Sequence, residues 1–131
     1  MSYLLDTHVL LWALAEPGKL GSQAKRIIAD PKEEVWFSSA SLWEIAIKYQ
    51  LGKLPLPGSP ISLFPPYLAE AGFRALAVMP HHALGVGTLP ALHRDPFDRM
   101  LVVQANAEGH TLMSVDPIFE RYGIATVRAD R

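Results

Sequence analysis

The stretch Pro96-Phe97-Asp98-Arg99-Met100-Leu101-Val102-Val103-Gln104-Ala105-Asn106-Ala107-Glu108-Gly109-His110-Thr111-Leu112-Met113-Ser114-Val115-Asp116-Pro117 decides the fold. Proline opens it and Gly109 closes its helical part, which predicts a helix over 96–107. A short run without apolar–polar alternation follows at 111–115, as expected of a strand buried on both faces. Asp116-Pro117 then starts a short helix over 117–122. Outward from this unit the same alternation repeats. Strands are predicted at 3–5, 35–37, 75–79 and 125–127. Helices are predicted at 9–14 (ended by Pro17-Gly18), 22–29, 42–50 (ended by Gly52), 61–71 and 82–87. Leu42, Ile45, Ala46 and Tyr49 share one face of the 42–50 helix. Leu54-Pro55-Leu56-Pro57-Gly58-Ser59-Pro60, with Pro65-Pro66 close behind, is too rich in proline for regular structure and reads as a surface loop inside one domain spanning 1–131. The pattern implies an α/β protein with a parallel central sheet of about five short strands, covered on both faces. Ligands of such sheets bind beyond the carboxyl ends of the strands.

The bulk properties narrow the function. Half of the 131 residues are hydrophobic, so the chain can bury a sizeable core. The net charge is −1, so any hold on nucleic acid must come from a local basic rim or from metal ions. There are no cysteines, which excludes disulfides and thiolate metal sites and fits a cytoplasmic protein. The apolar N-terminus is broken by Asp6 and His8 and lacks a basic leader, so neither a signal peptide nor a membrane span is expected.

Four acids fall at strand-to-helix crossings or helix starts. Asp6 follows the first strand, Glu44 lies in the first turn after the second, Asp98 in the first turn of the 96–107 helix, and Asp116 after the strand 111–115. Each has a plain reading as a cap. Asp116 and Asp95 precede proline, Ser41-Leu42-Trp43-Glu44 has the form of a capping box, and Asp6 can cap the helix after it. Capping does not require carboxylates along one shared edge, however. Two like charges about 4 Å apart repel by roughly 1 kcal/mol in water and about 4 kcal/mol at an effective dielectric of 20. A hard cation such as Mg²⁺ or Mn²⁺, which takes oxygen ligands, offsets that repulsion. No covalent nucleophile is evident, so the pattern points to attack on a phosphodiester by a metal-activated water.

At these positions the sequence resembles PIN-domain nucleases, and within them the VapC-type toxins of bacterial toxin–antitoxin pairs. The resemblance rests on Leu4-Leu5-Asp6-Thr7-His8, Ser38-Ser39-Ala40-Ser41-Leu42-Trp43-Glu44-Ile45, His93-Arg94-Asp95-Pro96-Phe97-Asp98-Arg99-Met100-Leu101 and Ser114-Val115-Asp116-Pro117-Ile118-Phe119, which occur in family order across nearly the whole chain. It implies a three-layer α/β/α PIN-like fold, Mg²⁺- or Mn²⁺-dependent ribonuclease activity and a separately encoded antitoxin; the apolar residues of the proline-rich segment and the first helices are expected to bind that antitoxin or to form a homodimer. It maps Asp6, Glu44, Asp98 and Asp116 to the four metal-binding acids, and gives Ser114 and Thr7 roles in ordering a water or phosphate. Val115 stands where the family often carries a polar or basic residue.

Other residues have plainer readings. Adjacent residues point apart, so His81-His82 reads as surface and cap rather than a metal pair. Arg99 is expected to pair with a neighbouring acid, or else with phosphate. His93 and Arg94 read equally as phosphate contacts or solvated loop charge. Lys48 and Lys53 read as exposed charge, and Trp12, Trp43 and Phe97 as core. Two alternatives stand beside the nuclease: an inactive PIN-like interaction domain whose acids are only caps, and a receiver-type signalling module. The latter lacks paired acids after the first strand and a lysine at the end of the last.

Overall fold

Branched, aromatic and leucine-rich runs extend as five strands in the computed structural model, which describes residues 1–131: β1 (Ser2–Leu5), β2 (Glu34–Ser38), β3 (Arg74–Leu76), β4 (Thr111–Ser114) and β5 (Thr126–Arg128). Between them run α1 (Thr7–Ala15), α2 (Ser22–Ala29), α3 (Ser39–Gln50), α4 (Pro60–Ala71), α5 (Pro80–Gly85) and α6 (Pro96–Glu108). Short 3-10 turns cover Pro17–Lys19, Val86–Thr88 and Pro117–Tyr122. The sheet order is β3-β2-β1-β4-β5 and every pairing is parallel. This is the parallel α/β/α architecture expected from the alternation of elements.

Burial on both faces explains the unalternating strands. Tyr3, Leu5, Val35, Phe37 and Met113 point to one face, where Val9 and Leu10 of α1, Ala24 of α2, Ile45 of α3 and Phe64 and Leu68 of α4 cover them. Leu4 and Leu112 point to the other, against Leu101, Val102 and Ala105 of α6 and Phe119. Leu4, Leu5, Leu112 and Met113 are wholly buried. Each such side chain stabilises the fold by about 1.5–3 kcal/mol. The turn from α6 into β4 is made by Gly109 at φ 72°, a left-handed conformation that a Cβ disfavours.

Two expectations are corrected. The third strand stops at Leu76, because Pro80 opens α5 with Met79 as its N-cap. Pro65 and Pro66 lie inside α4, as the helix expected over 61–71 requires and against the loop reading of the proline-rich stretch. Both prolines are solvent-facing, and Ile61, one turn earlier, is 86% exposed. The carbonyls that lose their helical partners therefore face water, which lowers the usual cost of proline. No helix is long and apolar enough to cross a membrane.

The strand order sets the site. From β1 the chain builds outward through β2 to β3, then returns to the other side of β1 for β4 and β5. The order reverses between β1 and β4, and the crevice beyond the carboxyl ends of those two strands is the topological switch point of the sheet.

Candidate active site

Asp6 sits at that switch point. Its backbone N–H donates to the Met113 carbonyl of β4 (3.0 Å), so the first residue after β1 is held against the neighbouring strand. Oδ1 of Asp6 caps α1 by accepting from Val9 N (2.8 Å), and Oδ2 accepts a hydrogen bond from the Ser114 hydroxyl. Ser114 in turn accepts from the Asp116 backbone N–H (3.0 Å). One hydroxyl at the end of β4 thus ties the first acid to the fourth. Asp116 caps the turn after it through Ile118 N (3.0 Å).

Glu44 departs from the expected capping box. Ser38, at the end of β2, is the N-cap of α3 and accepts from Ala40 N. Ser41 is therefore inside the helix, and Glu44 lies in its second turn with no backbone to cap. The buried carboxylate accepts instead from the Thr7 hydroxyl (2.7 Å) and from the Lys48 ammonium one turn on (2.6 Å). Asp98 departs further. Asp95 does the capping of α6, accepting from Phe97 N and Asp98 N. The Asp98 carboxylate accepts no hydrogen bond. His93 Nε2 stands 3.4 Å from it, a long contact that leaves this buried nitrogen unsatisfied.

These side chains meet in a cleft of about 520 Å³ lined by Asp6, Glu44, Asp95, Asp98 and Asp116, with Lys48 as its one permanent cation. Burial, then Asp95, Asp6, Glu44 and Asp116, push the Asp98 carboxyl up to about 7. Burial also raises Asp6, against the opposing hydrogen bonds from Ser114 and Val9. Lys48 is raised chiefly by its hydrogen bond to Glu44. Several hard oxygen donors thus surround a carboxylate that has no donor of its own, an arrangement suited to a hard divalent cation. A larger groove of about 800 Å³ runs alongside, walled by Leu11, Trp12, Leu54, Leu56 and Tyr67.

Several residues sit otherwise than the sequence suggests. Arg99 pairs with no acid. Its guanidinium donates to the carbonyls of Pro90 (2.8 Å) and Val86 (3.3 Å) and to the Tyr122 hydroxyl (3.3 Å), pinning the loop before α6. His93 is not loop charge: its Nδ1 lies 2.6 Å from the Tyr122 hydroxyl. With Arg99 donating to the phenol oxygen, the phenol proton is free for Nδ1, which leaves Nε2–H facing Asp98. Nothing local in the sequence links Tyr122 to His93. Trp43 is 64% exposed rather than core, edge-on to Phe97 at 5.3 Å. Lys48 lines the cleft, whereas Lys53 is exposed away from it.

His81 and His82 converge rather than point apart. Their rings are 4.2 Å apart and both Nε2 atoms approach Glu108, at 3.4 and 3.0 Å. A metal there is nonetheless disfavoured. Nδ1 of the buried His82 accepts the Met79 backbone N–H (3.0 Å), so the proton of the neutral ring sits on Nε2, the atom a metal would need. The trio is a clamp between α5 and α6, and His82 fulfils the expected capping role from inside the protein.

The PIN domain sequence profile matches residues 3–125 of this chain. Ribonuclease VapC16 of Mycobacterium tuberculosis (strain ATCC 25618 / H37Rv) is 39% identical over 57 residues, 44% of this chain and 40% of that protein. The chain thus matches about two-fifths of the length of this curated relative. Among solved structures, VapBC2 from Rickettsia felis, bound to a DNA fragment from its promoter, superposes with TM-score 0.72 at 16% identity, covering 98% of both chains. DNA-bound VapBC from Salmonella typhimurium gives TM-score 0.72 at 19% identity, again over 98% of each chain. The profile match leaves no room for a receiver-type module: the chain belongs to the PIN domain family.

Proposed function

We propose that the chain is a divalent-metal-dependent endoribonuclease and the toxin of a toxin–antitoxin pair. The observation that carries the reading is Asp98: a half-buried carboxylate at a topological switch point, without a hydrogen-bond donor and hemmed in by four other acids. Asp6, Glu44, Asp98 and Asp116 would hold Mg²⁺ or Mn²⁺. When bound, such an ion supplies a lowered pKa for coordinated water and stabilises charge on a phosphodiester. The chain's own residues prepare the ligands. Ser114 orients Asp6 and Asp116, and Thr7 fixes one oxygen of Glu44. The apolar groove beside α1 supports a separately encoded antitoxin as partner, since exposed apolar channels of this kind mark protein contacts. A homodimer is consistent with the exposed Trp43 and Leu51 on and just after α3.

The test is incubation of pure protein with Mn²⁺ and structured RNAs, tRNA included, beside Asp98→Asn. Cleavage by wild type but not by the variant supports the reading. A folded wild type that cuts no RNA, with a variant equally toxic in cells, would favour an interaction domain whose acids are only caps.

A further inference from the structure

Lys48 carries an inference beyond the four acids, one that rests on the nuclease reading. As an i, i+4 partner of Glu44 it has a plain account as a helix-surface ion pair. Three observations argue against that account. Glu44 is buried, with 6% of its side chain exposed, while Lys48 is 43% exposed, so the pair is one-sided. Lys48 is the only permanent cation lining a cleft that holds five carboxylates. Asp95 and Asp98, at the start of α6, share that cleft with Lys48, so Glu44 is not its only acidic neighbour. The ammonium therefore serves the whole acid cluster, from a flexible four-carbon stem with one end in water.

We propose that Lys48 is an exchangeable counter-ion: it occupies the Glu44 carboxylate until a divalent cation takes that oxygen, and then turns to a non-bridging oxygen of the RNA phosphate. Two consequences of opposite sign follow. The ammonium and a divalent cation compete for one carboxylate and repel one another, so neutralising Lys48 tightens cation binding. The same change removes a phosphate contact, so it weakens the hold on RNA. A purely structural strut would move both in the same direction or neither.

The experiment is calorimetric titration of RNA-free protein with Mn²⁺, followed by cleavage kinetics on a single-stranded RNA over a range of salt. It compares wild type with Lys48→Gln, Lys48→Met and Lys48→Arg, with melting curves confirming folding. Both neutral variants are expected to bind Mn²⁺ about five- to tenfold more tightly. Their KM should rise about tenfold, and their salt slope, as log kcat/KM against log salt, should be shallower by about 0.7. Lys48→Arg keeps the charge and should restore wild-type values for both. If wild type binds Mn²⁺ and the neutral variants match it or bind more weakly, the exchange is overturned while the metal site stands. If wild type takes up no Mn²⁺, the nuclease reading and the exchange fall together.

Discussion

Replacing Asp98 by Asn should stabilise the metal-free protein at pH 8 and only about a quarter as much at pH 4.5. Burial and four neighbouring acids raise this carboxyl from 3.8 to about 7 in the folded chain. The folded state therefore holds the proton more tightly than the unfolded state. Below about pH 4 both states are protonated and no penalty exists. Between about 4 and 7 the unfolded state releases its proton first, so stability falls as pH rises, and above 7 the full penalty is present. At about 1.4 kcal/mol per pH unit, the displacement corresponds to about 4 kcal/mol. The side chain is 22% exposed and solvent screens it, so about 2 kcal/mol is the realistic expectation. Asparagine keeps the shape and removes the charge. Melts in chelator should place the variant about 6–10 °C above wild type at pH 8 for a chain of this size, with the gap shrinking to about a quarter of that by pH 4.5. Millimolar Mn²⁺ should reverse the order at pH 8 by stabilising wild type alone. Equal melting temperatures at both pH values in chelator would refute the claim that the acids repel one another in one cluster.

Ser114→Ala removes the donor to Asp6 and the acceptor for Asp116 N. It should cost about 1–3 kcal/mol in urea unfolding and weaken Mn²⁺ binding about 10–100-fold in calorimetry. Thr7→Val should cost about 1–3 kcal/mol, because the buried Glu44 loses its hydroxyl donor, and the loss should be visible in the same urea titration. The double variant His81→Ala/Glu108→Ala should leave the Mn²⁺ and Zn²⁺ stoichiometry of the protein unchanged, since the His82 tautomer closes that trio to metals. Gly109→Ala forces a Cβ into a left-handed turn and should lower stability by about 1–2 kcal/mol without altering Mn²⁺ affinity.

The fold was legible in the sequence because its strands are short, apolar and separated by well-punctuated helices. The register of Leu5 against Phe37 and Met113 follows once both faces are covered. The acids were legible as a set because each falls at a crossing. Their individual environments were not. Ser38, Ser39 and Ser41 all offer a cap for α3, and only the pairing of Ser38 with Leu76 at the end of β2 shows which one serves. The choice decides whether Glu44 is a cap or a free carboxylate, and it is made by tertiary structure. The Thr7–Glu44 bond spans 37 residues and the His93–Tyr122 bond 29, beyond any local pattern. Trp43 misled because its composition suits a core while its helical phase, next to the inward-facing Glu44, turns it outward.

The place of β1 in the sheet governs when the acid cleft is completed during synthesis. Tyr3 pairs with Thr111, and Asp6 depends on Ser114, 108 residues later. A nascent chain that has passed Glu44 carries two of the four acids and half of the central ladder, yet lacks Asp98, Asp116 and the strand that anchors Asp6. At about 5–20 residues per second, the ribosome needs about 4–14 s to travel from the second acid to the fourth. Pairings of such long range also form late in folding, because the loop must close before the contacts reward it. The acid cleft is therefore completed last, and a nuclease of the proposed kind would leave the ribosome unarmed.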